Sequence, residues 1–113
     1  MRSDIELLFH IHDEMAFLIE HTQGITEESF LENETLKRAF ARCLEVIGEA
    51  VKNLSTDMIT RNSDIEWRNM AGMRDKLIHG YFSVDYSLVW DVAVSKIPEL
   101  KTKIEILIEK SRP

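Results

Sequence analysis

One short stretch of the chain is dense in groups that can do chemistry: RDKLIHGY, residues 74–81. Histidine titrates near neutral pH and can take a proton from a ribose 2′-hydroxyl. Arginine can grip a phosphate through two N–H groups and stabilise the charge that builds up during phosphoryl transfer. If Arg74 and His79 converge, they can cleave RNA without a metal or cofactor. A helix does not bring them together by itself. Five residues amount to a net rotation of about 140° around an ideal helix. Asp75 and His79, four apart, would share a face. Arg74 and His79 therefore need the reach of the arginine, a helix end near Gly80 that re-aims the histidine, or a two-fold dimer supplying one group from each chain. The plain alternative is a helix C-terminus, with His79 at the negative end of the dipole and Gly80 following it.

The other reactive side chains read more simply. His10 and His12 are two residues apart, about 200° around a helix, so they cannot chelate one metal from it. His10 and Glu14 share a face, but two groups make a poor site. Together with His21 they read as surface or core histidines. Cys43 lies on an apolar stripe and reads as a buried, inert thiol. Gly48 and Glu49 fall within a helix, in IGEA. A mid-helix glycine costs roughly 1 kcal/mol relative to alanine. Close helix packing would offset that, as would a need for space near a ligand. Glu49, next to that glycine, is a candidate supporting site residue.

Helices must position these groups. Ser3 and Glu6 have capping-box spacing. Ile5, Leu8, Phe9, His12, Met15, Ala16 and Ile19 then recur at steps of three and four. Gly24 ends that segment, and Thr26 to Leu31 reads as one short turn of helix. Asn33 can cap a second long helix, whose buried face carries Leu36, Phe40, Cys43, Leu44, Ile47, Ala50, Val51 and Leu54. Ser55 opens a short polar connection. Ser63 and Glu66 repeat the capping-box spacing before a third helix, Trp67 to Ile78, which runs into the reactive stretch. Asp85 can cap a helix carrying Leu88, Val89, Val92 and Ala93. Pro98 starts or kinks the last helix, with Leu100, Ile104, Leu107 and Ile108 on its stripe. No segment alternates as a sustained strand. The expectation is an all-α, up-and-down bundle of four to five antiparallel helices, one domain over residues 1–113.

Composition limits what such a bundle can do. The 113 residues are 44% hydrophobic and 30% charged, a globular balance. A net charge of −6 argues against coating nucleic acid broadly, since an acidic surface repels phosphate at long range. A few cations at one cleft are still compatible with it, and Arg68, Arg74 and Lys76 are the candidates for a local positive rim. A single cysteine suits a reducing compartment. No apolar run approaches the ~20 residues of a membrane span, and the N-terminal MRSDIELL lacks a signal-peptide core. The chain reads as cytoplasmic.

The segment RNMAGMRDKLIHGYFSVDYSLVW (68–90), with IGEAVKNLS (47–55) before it, resembles the HepT-like branch of the HEPN domains. The signature is arginine, four residues, histidine, one residue, tyrosine: Arg74, His79 and Tyr81. The resemblance covers essentially the whole chain. It implies a metal-independent endoribonuclease, the toxin of a type VII toxin–antitoxin pair, with Arg74 and His79 catalytic. It also implies a homodimer with the active-site cleft at the interface. Asp75 stands where HEPN proteins often have asparagine and could orient His79. The implied partner is an MNT-type nucleotidyltransferase antitoxin that attaches AMP to Tyr81. A bulky anion two residues from His79 would block the cleft and repel RNA. The alternative reading is a non-enzymatic helical partner of a nucleotidyltransferase, and a third is a purely structural helical dimer.

Overall fold

The structure is a computed structural model that describes residues 3–79 and 83–112, with Ile78 and His79 as backbone only. Two long helices, α1 (Asp4–Thr22) and α3 (Glu34–Lys52), flank the short α2 (Glu27–Leu31). The short helices α4 (Thr56–Arg61), α5 (Trp67–Ala71) and α6 (Met73–Leu77) follow. Strands β1 (Ile78–His79) and β2 (Ser83–Val84) form a small antiparallel pair. The chain closes with α7 (Tyr86–Asp91), a π-helical turn (Val92–Lys96) and α8 (Ile97–Ser111).

The caps are those the side chains dictate. The Ser3 hydroxyl accepts from the Glu6 N–H, Asn33 Oδ1 from Leu36 N–H and Asp85 Oδ1 from Leu88 N–H. After α1 the chain turns at Gly24, whose φ of 73° suits a residue without Cβ. Helices α1 and α3 run antiparallel: Asp4 at the start of α1 accepts from the N–H and hydroxyl of Ser55, just past the end of α3. Helix α8 is also antiparallel to α1, since His12 meets Glu105 while Phe9 lies under Arg112. One continuous apolar cluster fills the space between them, including Leu8, Ile11, Met15, Phe40, Ile47, Ile97 and Ile104. Phe30 packs on Phe40 and Trp90 with ring centroids 4.9 and 5.2 Å apart, tying α2, α3 and α7 together. The architecture is the expected all-α up-and-down bundle.

Several local expectations need correction. Residues 56–61 are a helix, capped by Ser55, rather than a polar connection. Ser63 and Glu66 form no capping box: Glu66 is the N-cap residue of α5 and makes no side-chain cap bond. The entry to α5 is fixed instead by Trp67, whose indole N–H donates to the Asn62 carbonyl at 2.9 Å. The third helix is not continuous, because it breaks at Gly72 into α5 and α6 and stops at Leu77 instead of Gly80. Asp85 N–H donates to the Leu77 carbonyl at 2.8 Å, and Ile78 and His79 pair with Val84 and Ser83. Phe9 and Leu88 lie on apolar stripes yet are 40% and 37% exposed. Phe9 lies where α8 ends, under Arg112, and Leu88 lines a surface groove.

The last helix starts at its proline as expected, and without a break in the rod. Proline at position 98 has no N–H for the carbonyl one turn back. The π-turn before it absorbs the mismatch, with Ile97 N–H donating to the carbonyl of Val92, five residues earlier.

Candidate active site

The geometry around Arg74 begins with Gly48. An added Cβ there would stand 3.3 Å from the Met70 carbonyl oxygen and 3.4 Å from that of Ala71. Helix α3 thus approaches the backbone of α5 about as closely as two chains can, which is the packing reason for a mid-helix glycine. This contact sets α5, and through Gly72 the short α6, directly across α3. Met73 and Leu77 are buried in the core, so the intervening Arg74, Asp75 and Lys76 face outward.

Arg74 is half exposed and reaches back to α3, its Nε–H donating to Glu45 Oε2 at 3.4 Å. Asp75 is more exposed, with one oxygen 3.9 Å from Arg74 Nη1. Beside Arg74, helices α1 and α3 enclose a groove of about 630 Å³. Its floor is apolar, made by Leu7, Val46 and Ala50. Its rim carries His10, Arg42, Glu45, Glu49, Asn53 and Arg74. The expected cationic rim does not assemble. Arg42 and His10 accompany Arg74, whereas Lys76 lines a separate, smaller groove with Leu88, Asp91 and Lys96. Alternate residues of one short helix point to opposite sides of it, so neighbours in sequence part company.

Because α6 stops at Leu77, neither the 140° separation of Arg74 from His79 nor the shared face of Asp75 and His79 applies. The backbone of His79 lies in β1, opposite Ser83. Its side chain, together with Gly80 and Tyr81, lies outside the described residues. Glu49 is exposed on the rim of the groove, four residues beyond Glu45 and one helical turn from it. Sequence reasoning missed Glu45 and Arg42. Both lie on the stripe of α3 that continues through Glu49 and Asn53 at steps of three and four, and that polar stripe was the available signal.

The remaining reactive groups are occupied. His12 Nε2 lies 2.9 Å from Glu105 Oε2, and Lys101 Nζ lies 2.8 Å from the same oxygen. Hydrogen bonds, first from Lys101 and then from His12, hold the Glu105 carboxyl below its usual range. His21 stacks on Phe17 with ring centroids 4.0 Å apart. Burial, followed by the charge of Glu14 and a hydrogen bond with it, pushes the Cys43 thiol up to about 12. Among the described residues, no three His, Cys, Asp or Glu side chains gather where they could hold a metal ion. Nor is any described helix long and apolar enough to cross a membrane.

A family model described as Ribonuclease HepT-like matches residues 11–107. The chain belongs to this family. A relative from Caldanaerobacter subterraneus subsp. tengcongensis, named as a candidate RNase, is 44% identical over 112 residues, covering 99% of this chain and all of its own. Another so named, from Methanocaldococcus jannaschii, is 45% identical over 102 residues, 90% of this chain and 84% of its own. A Thermococcus cleftensis protein named as a candidate ribonuclease HepT is 42% identical over 106 residues, 94% of this chain and 96% of its own. No solved structure matches the chain. The HepT-like match spans α3, α5 and α6, which carry Arg42, Glu45, Glu49 and Arg74.

Proposed function

We propose that this HepT-like chain is a metal-independent endoribonuclease, acting as the toxin of a type VII toxin–antitoxin pair. Family membership and the RNase names of relatives that match most of its length support the activity. One observation in this chain carries the reading furthest. Arg74 stands half exposed at the rim of a groove, three residues before its helix gives way to the strand that bears His79.

The chemistry needs two groups. His79 takes the proton of a ribose 2′-hydroxyl, and the resulting alkoxide attacks the adjacent phosphorus. Arg74 holds the non-bridging oxygens and stabilises their added charge. The bond to the 5′-oxygen breaks, and a proton from solvent completes the leaving 5′-hydroxyl. The other product is a 2′,3′-cyclic phosphate. Asp75 helps orient His79, and Glu49 supports the site from the rim. Two copies form a homodimer with the paired sites at a shared cleft. An MNT-type nucleotidyltransferase antitoxin silences the enzyme by attaching AMP to Tyr81. The net charge of −6 suits that partnership better than broad RNA binding.

Labelled RNA incubated with the purified chain in EDTA tests the activity. Cleavage should leave cyclic phosphate ends and disappear in His79→Ala; cleavage that persists in that variant sinks the assignment of His79. Co-expression with the nucleotidyltransferase should add nucleotidyl mass that is lost in Tyr81→Phe. Tight complex formation without any cleavage by the free chain would favour the non-enzymatic reading instead.

A further inference from the structure

Building on the ribonuclease reading, we infer that the groove between α1 and α3 is a subsite for a guanosine next to the scissile phosphate, with Arg42 gripping that nucleotide's outer phosphate and Glu49 reading its base.

The groove has a direction. Arg42, Glu45, Glu49 and Asn53 follow one another along a single stripe of α3. Arg42 and Glu49 are two turns apart, about 10 Å along the axis, too far to neutralise each other. Neither the Arg42 guanidinium nor the Glu49 carboxylate has a hydrogen bond or ion pair among the described residues. Glu45 lies between them and holds Arg74. Arg42 therefore sits about one helical turn along α3 from the carboxylate that holds Arg74. The far end is rich in acceptors. One Asn53 amide hydrogen is engaged by the Glu49 carbonyl at 2.8 Å, which leaves the Asn53 side-chain oxygen to accept beside the Glu49 carboxylate. The floor between the ends is aliphatic.

A nucleotide has the complementary pattern: an anionic end, an apolar base face and a hydrogen-bonding edge. An acceptor-rich end selects for donors. Guanine presents two parallel N–H donors on its Watson–Crick edge, which match the two oxygens of one carboxylate. This also accounts for carboxylates in a groove that serves a polyanion, since Glu49 faces the base and Glu45 is covered by Arg74.

The test uses the full chain, with short RNAs carrying guanosine or uridine beside the cleaved bond and with GMP and UMP as free probes. GMP should compete with RNA more tightly than UMP by about tenfold, the usual value of a bidentate base contact. Glu49→Gln should erase that difference. Arg42→Ala should raise KM several-fold more than it lowers kcat, and removing the outer phosphate from the RNA should have the same effect on the unaltered enzyme. The substrate change keeps the test meaningful should a variant misfold. Arg61→Ala, on α4 and outside the groove, serves as the control. Cleavage with base preference and KM unchanged in both groove variants overturns the subsite and leaves the ribonuclease reading standing. GMP binding that depends on Arg42 and Glu49, with no cleavage of any RNA, supports the subsite as a nucleotide site and removes the nuclease. Neither binding nor cleavage overturns both.

Discussion

Helix α1 carries two histidines, two residues apart, and they belong to different regions. His12 faces α8, where Glu105 accepts from both it and Lys101. His10 faces α3 and lines the groove with Arg42, Glu49 and Arg74. The first cluster is closed: its charges are matched at hydrogen-bond distance and cross-brace two antiparallel helices. The second is matched only in part: Arg74 meets Glu45, while the Arg42 guanidinium and the Glu49 carboxylate stand apart on α3 over an apolar floor. A polar cluster that satisfies itself serves the fold, whereas one that leaves complementary groups unmatched has binding capacity to spare. The 200° between adjacent even positions of a helix is what lets one element serve both regions.

The comparison can be broken in several ways, beginning with the largest effect. Arg74→Ala should lower kcat by about 10²–10³-fold, the usual loss when a donor to developing charge is removed. Its melting temperature should barely move, because the side chain is half exposed. A comparable loss of stability would make Arg74 a structural residue and its groove no different from the closed cluster. Gly48→Ala should act on both regions. The new methyl must push the Met70 and Ala71 carbonyls away, which costs about 1–3 kcal/mol and displaces α6 with its arginine. Thermal unfolding and KM should both register it, and a change in neither would mean that the α3–α5 approach does not set the site.

Cys43 gives a smaller, pH-dependent effect. In the folded chain its thiol stays protonated up to about 12. In the unfolded chain it ionises at its ordinary, lower value. Stability is therefore complete below the unfolded value and falls as pH rises through the interval between the two. Alkylation at pH 8 should be slow when folded and fast in denaturant; rapid labelling of the native chain would contradict the burial. His12→Ala should do least. Lys101 still holds Glu105, so cleavage should be unchanged and melting only slightly lowered. Because the folded Glu105 carboxyl titrates low, its contribution is present above its ordinary value and fades only as pH falls through the lowered one. A strong effect of His12→Ala on cleavage would erase the distinction between the regions.

The long helices were legible in the sequence from steps of three and four with Ser3 and Asn33 as caps, but the buried face of α1 is turned toward Leu7, Ile11 and Leu18 and away from Phe9. The break at Gly72 and the stop at Leu77 were not, because helical periodicity continues through Ile78 while the backbone bonds that end the helix come from residues 83–85. Ser63 and Glu66 had the right spacing, but the Trp67 indole bond decided the entry to α5. Type and spacing marked Arg74 only as a candidate beside a plain helix end, and the family resemblance singled it out. Its partner Glu45 lies 29 residues away, and only the tertiary approach at Gly48 brings the two together. The cationic rim failed for the same reason: Lys76 is near Arg74 in sequence, whereas Arg42 is near it in space.

The central claim is that the open region is the working end of a ribonuclease. The most direct measurement is the rate at which 2′,3′-cyclic phosphate ends appear in labelled RNA, in EDTA, for the unaltered chain, Arg74→Ala and His12→Ala side by side. The account predicts full activity for the unaltered chain and His12→Ala, with a loss of at least about a hundredfold for Arg74→Ala. Equal rates in all three, or a loss confined to His12→Ala, would contradict it.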